Sequence, residues 1–169
     1  MIARRDAGLT LIELLVALSI FIIVALASAA LYQTILKSYI KDKIVQDLQR
    51  ESDLILANFS QNLKEATTYN TALSNTSTNP NTLAVNLITN GTRKYYVSSG
   101  ALRYTDENSN DTALTAPGTT ITSFTVSPTY NAGNGNALSS VRVQGTLSRT
   151  KTNQTATLNF ATTITTRPQ

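Results

Sequence analysis

Cysteine and histidine are both missing from the 169 residues. Without cysteine no disulfide can form, and without either residue the usual ligands of a zinc site are gone. The common nucleophile and base pairings disappear with them. No G-x-S-x-G elbow and no glycine-rich phosphate cradle stands in their place. No catalytic residue is nominated, and an enzyme is not expected. Charge is sparse too. The net value is +4, of which residues 1–8 contribute +1, residues 9–69 contribute −1 and residues 70–169 contribute +4. So mild a basicity steers weakly, and a nucleic-acid role would have to rest on a local patch.

Proline and glycine are absent from Leu9 through Thr68. Inside that stretch, Leu14 to Leu31 is free of charge as well, and Ser19 and Ser28 are its only polar side chains. Such a run, helical at 1.5 Å per residue, covers roughly 27 Å, close to the hydrocarbon thickness of a bilayer. It reads as a membrane helix. Glu13 sits at its mouth, where a carboxylate is costly and marks a functional site by default. If the chain is cut after Gly8, Leu9 presents a new amine about one helical turn from Glu13, a natural counter-charge within one chain or between neighbours.

Gly8-Leu9-Thr10-Leu11-Ile12-Glu13, preceded by Arg4 and Arg5 and followed by the apolar run, resembles the type IV pilin and pseudopilin superfamily. The strong resemblance covers about 30 residues. It implies a leader of residues 1–8, removed by the prepilin peptidase between Gly8 and Leu9, with Leu9 then N-methylated and Glu13, beside Thr10, serving assembly. Leu9 stands where the family's first mature residue is usually phenylalanine. The implied partners are other pilin or pseudopilin subunits, the peptidase and an inner-membrane assembly platform. Leu14, Val16, Phe21, Ile23 and Leu31 would lie in lipid or in the filament core. A conventional secretory signal is the competing reading, since Ala25-Leu26-Ala27 and Ala27-Ser28-Ala29 fit a signal peptidase site. Glu13 beside the apolar core, Asp6 in the leader and the length of the run weigh against it.

The basic leader predicts a single pass with the N-terminus in the cytoplasm and the C-terminal part outside. Lys37, Lys41 and Lys43 on the far side weaken the asymmetry. Beyond the run, Leu31, Ile35, Tyr39, Ile44, Leu48, Ile55, Phe59 and Leu63 recur at mostly helical spacing and form an amphipathic stripe. One helix is therefore expected over 9–66, its membrane half at 9–31 and its amphipathic half at 32–66. Residues 67–82, polar and containing Asn79-Pro80, read as a connector loop.

Residues 83–169 read as an antiparallel β domain. Leu83 to Ile88, Arg93 to Ser98 and Ala101 to Tyr104 form a meander turning at Asn90-Gly91 and Ser99-Gly100. Asp106 to Gly118 is expected to be loop, and Ile121 to Ser127 a strand that Pro128 ends. Leu138 to Leu147 and Thr155 to Thr165 form a closing hairpin, with Val141, Val143 and Leu147 on one face and Leu158, Phe160, Thr162 and Ile164 on the other strand's matching face. The expected fold is α+β: a long N-terminal helix packed on a C-terminal antiparallel sheet, in the manner of a pilin. The layout resembles the larger minor pseudopilins of type II secretion, and minor pilins.

Two ligand sites are candidates. Asp106, Asn108, Asn110 and Asp111 place oxygens as the start of a calcium loop does, but no glycine holds the sixth position and Pro117 holds the twelfth. Apart from calcium there, no cofactor is expected. Arg93, Lys94 and Arg103 beside Tyr95, Tyr96 and Tyr104 could grip single-stranded DNA, although tyrosines in strands more often pack a half-buried face. The function expected is a structural subunit, minor rather than major, of a type IV pilus-like or type II secretion filament. The alternative is an exported, membrane-anchored module binding DNA or a surface ligand.

Overall fold

The computed structural model describes residues 10–70, 73–74, 82–87, 91–130 and 137–166. The chain divides into two compact units, residues 1–39 and 40–169, and one helix, α1 (Leu11–Leu63), contributes to both. In the first unit every residue from Thr10 to Tyr39 is exposed. Phe21 is 70% exposed and Leu31 65%, so large apolar side chains stand uncovered along this unit's helix. An apolar surface all round a helix calls for lipid or another protein. α1 is long and apolar enough to cross a membrane.

The second unit has a true core. From α1 it takes Ile44, Leu48, Ile55, Phe59 and Leu63, all buried. These are the later members of the stripe read from the sequence. The earlier members, Leu31, Ile35 and Tyr39, are exposed, and among the described residues of the first unit there is no strand to cover them.

Five strands form one antiparallel meander: β1 (Ala66–Tyr69), β2 (Leu83–Leu87), β3 (Thr92–Ser98), β4 (Ala101–Thr105) and β5 (Asp111–Ala113). Three longer strands form a second sheet in the order β6 (Thr119–Tyr130), β7 (Leu138–Lys151), β8 (Gln154–Thr165). The sheets are joined where Ile121 N–H donates to the Gly100 carbonyl at 2.7 Å. Phe59 sits between them, its ring 4.3 Å from Tyr95 of the first sheet and 6.1 Å from Phe124 of the second. The Tyr95 hydroxyl donates to Asn58 Oδ1 at 3.1 Å, and burial pushes its phenol well above the usual range. The architecture is the expected α+β: a long helix followed by antiparallel sheets.

Several elements differ from the sequence reading. The helix ends at Leu63, and Ala66–Tyr69, expected as helix end and loop, is a strand paired with β2. Polar side chains tie it to β2: Asn86 Nδ2 donates to Thr68 Oγ1 at 3.0 Å, and Asn70, just after β1, donates from Nδ2 to Asn86 Oδ1 at 3.1 Å. Ala66 and Tyr69 turn inward. β5 lies within the segment expected to be loop, held on β4 by its ladder and by Arg103, whose Nε donates to Asp111 Oδ2 at 2.7 Å. Pro128 does not end β6, which continues to Tyr130. β6 is an edge strand, where a missing N–H costs no ladder bond.

Turn chemistry fixes the hairpins. Ser99 and Gly100 both have positive φ, 51° and 75°, as a type I′ turn requires. The β7–β8 turn uses Thr152 and Asn153 at 50° and 60°, so that hairpin is tighter and its strands longer than the sequence suggested. Asn90 and the Asn79-Pro80 pair lie outside the described residues. Within the hairpin, Val141, Val143 and Leu147 are buried. Opposite them Phe160 and Ile164 are buried, with Leu158 and Thr162 half-buried.

Candidate functional site

Thr10 is the residue before α1 and Glu13 stands in the helix's first turn. The first backbone N–H groups of any helix lack partners within it. Here Thr10 N–H and Thr10 Oγ1 each donate to Glu13 Oε2 at 2.9 Å, and Glu13 N–H donates back to Thr10 Oγ1 at 3.4 Å. This is a reciprocal capping box of the pattern T-x-x-E. The sequence reading named Thr10 beside Glu13 for assembly but did not read the capping box between them. The four-residue pattern before an apolar run is itself a signal. Gly8 and Leu9, the expected cleavage pair, lie outside the described residues.

Leu14, Val16, Phe21, Ile23 and Leu31, expected in lipid or a filament core, are all exposed. Polar atoms in this stretch are returned to the helix. Ser19 Oγ lies 2.6 Å from the Leu15 carbonyl and 3.1 Å from that of Val16, and Thr34 Oγ1 donates to the Ala30 carbonyl at 3.0 Å. A hydroxyl bonded to its own backbone tolerates hydrocarbon around it.

The other candidates come out differently. Arg93 is tied to Glu107 at 3.0 Å and to Glu65 at 3.3 Å, and also donates to the Asn62 carbonyl at 3.3 Å. Arg103 is tied to Asp111 at 2.7 Å. Lys94 stands 4.9 Å over the Tyr96 ring, while Tyr95 is buried. Two cations of the DNA candidate are thus already matched by carboxylates, and one of its tyrosines cannot stack on a base.

In the calcium candidate, Asp106 accepts from the Asn110 side chain at 2.8 Å, from Asn110 N–H at 2.8 Å and from Asn108 N–H at 2.9 Å. Those bonds, the Asn110 amide first, hold its carboxyl below the usual range. Asp111 faces Arg103 rather than the loop. Among the described residues no group of three or more acidic, histidine or cysteine side chains could hold a metal.

Sequence reading also passed over Glu51 of α1. It is buried at 6% exposure. Its Oε1 accepts from Ala116 N–H at 2.6 Å and its Oε2 from Thr119 Oγ1 at 2.8 Å, tying the chain before β6 to the helix. Nothing at Glu51 alone distinguishes it from an exposed helical glutamate, because its donors lie 65 and 68 residues away.

Residues 3–29 match the family described as the prokaryotic N-terminal methylation motif. No curated protein and no solved structure matches the chain. The matched stretch takes in Gly8, Leu9, Thr10 and Glu13 with nearly all of the apolar run, and the family is structural rather than enzymatic. With an apolar helix of membrane-spanning length and antiparallel sheets after it, the chain carries the N-terminal signature of the type IV pilin and pseudopilin superfamily, which marks it as a type IV pilin-like subunit of a pilus or secretion filament.

Proposed function

We propose that the chain is a minor pilin or minor pseudopilin, inserted with its N-terminus in the cytoplasm, cut between Gly8 and Leu9 and N-methylated on Leu9. The observation that carries this reading is the placement of Glu13 in the first turn of a helix that leaves every side chain from there to Tyr39 exposed. Cleavage at Gly8–Leu9 leaves the Thr10 N–H in place, so the capping box survives processing. Glu13 Oε2 is engaged by Thr10, while Oε1 has no partner among the described residues. That free oxygen is the acceptor for the Leu9 amine of a neighbouring subunit during docking. The apolar surface then passes from lipid to the packed helices of the filament.

The minor assignment rests on the continuity of α1. It contains neither proline nor glycine across 53 residues, where many pilins of the family it resembles carry a helix-breaking proline or glycine. Other subunits, the prepilin peptidase and an inner-membrane assembly platform are the partners this function needs.

Intact mass and N-terminal sequence of the protein extracted from its host membrane test the proposal. A chain beginning at Leu9 and about 14 Da heavier than the bare product, one added methyl, is the expected result. A chain beginning at Ser28 or Ala30 would overturn it. Glu13→Ala should still be inserted and cleaved but should leave no subunit in isolated filaments.

A further inference from the structure

The outer strands of the three-stranded sheet are unlike. β6 contains Pro128, shifts register between Ile121 and Ser123 and again between Thr129 and Tyr130, and donates from Ile121 to the other sheet. Proline, bulges and cover are the devices by which natural sheets blunt an edge against further pairing. β8 has none of them. Its sequence, QTATLNFATTIT, holds no proline, glycine or charge. It pairs with β7 in one unbroken register from Ser140–Thr165 to Lys151–Gln154.

In an antiparallel ladder alternate residues turn N–H and C=O away from the partner strand. Half of β8 therefore offers its backbone at the outer edge, and no described residue bonds it there. The two faces beside that edge differ in chemistry. Inward lie Ala156, Phe160 and Ile164, buried, and Leu158, half-buried; outward lie Thr157, Asn159, Ala161 and Thr163, exposed.

Charge then selects among extended segments. From Thr112 to the C-terminus the sequence contains no aspartate or glutamate. Arg149 is matched by Asp47 at 3.5 Å, but Arg142, exposed on β7 opposite Thr163 of β8, stands on the outward face. A strand added beyond β8 would lie about 4.8 Å from it and on the order of 10 Å from β7, within the reach of the long Arg142 side chain on the outward face.

We propose that β8 is a strand-addition site for an extended acidic segment of a partner polypeptide. The segment pairs its backbone with the free edge, places apolar residues beside Leu158 and Phe160, and turns a carboxylate outward toward Arg142. The proposal does not rest on the filament reading.

The test uses the full chain in detergent and a short peptide in which valine alternates with threonine and glutamate. Three companions are needed: the same peptide with lysine for glutamate, and two versions with backbone N-methyl groups on one or the other alternating set of residues. Amide hydrogen exchange of the protein is the readout. The acidic peptide should protect alternate amides of β8 and none of β6. The lysine version should bind several-fold more weakly, and only one of the two N-methylated versions should lose binding. No protection by any peptide, protection elsewhere, or indifference to N-methylation would overturn strand addition. Equal binding of acidic and basic peptides would overturn the acidic partner. A dimer that protects β8 without peptide would assign the edge to a second copy of this chain instead.

Discussion

Glu51 and Gly145 show how much of the second unit depends on single residues. Glu51 Oε1 and Oε2 both accept hydrogen bonds in a buried position. Glu51→Ala strands the Ala116 N–H and the Thr119 hydroxyl, and bonds to a charged acceptor are worth about 1.5–3 kcal/mol each way of counting. Thermal or denaturant unfolding should show a loss of that order, with Glu51→Gln losing less. Gly145 lies in β7 opposite Phe160. A Cβ there would stand 2.6 Å from the Phe160 ring and 2.9 Å from the Ser123 carbonyl. The ring is buried and the carbonyl belongs to a paired strand, so neither moves freely. Gly145→Ala should therefore destabilise by about 1–3 kcal/mol, the usual cost of overpacking.

Among the elements, the β7–β8 turn departs furthest from what its sequence suggests. Type I′ turns favour Asn-Gly or Asp-Gly, yet Thr152, a β-branched residue, occupies the first central position at φ 50°. Strain of about 1–2 kcal/mol attends a side chain in that region. Thr152→Asn should recover a good part of it and raise the melting temperature, as differential calorimetry would read. Because Thr-Asn is a poor turn signal, the hairpin could be read from the sequence only as two strands with a gap between them. The alternation within those strands, Val141-x-Val143 and Phe160 to Ile164, was legible, since one face is buried and the other is not. β1 and β5 were not legible. Each is short, and neither shows that alternation: β1 is held by polar side chains that bond across strands, and all three residues of β5 are exposed. The capping box at Thr10 and Glu13 is local and could have been read; Glu51 is defined by contacts distant in sequence and could not.

At the scale of the whole molecule, the missing histidine sets the pH response. No side chain of histidine type titrates between pH 5 and 8. Asp106 is held below its ordinary pKa first by the Asn110 side chain, and Glu107 by Arg93. A carboxyl whose folded pKa is depressed lends stability above its unfolded pKa and loses it as pH falls through the folded value. Unfolding temperature should thus be flat through neutral pH and fall once pH drops below about 4, with Asp106→Asn showing a shallower decline. The general α+β layout was readable because it follows from long apolar and alternating runs. Where the amphipathic stripe becomes buried was not, since Tyr39 and Ile44 look alike until a sheet covers one of them.

The continuity of α1 also has a mechanical meaning. A helix pulled along its axis yields first where a backbone bond is already absent, at a proline, or where the chain is least constrained, at a glycine. From Leu11 to Leu63 there is neither. Tension applied to this segment is shared by the whole hydrogen-bond ladder, and it stretches as a single stiff spring with no turn set to give way before the rest.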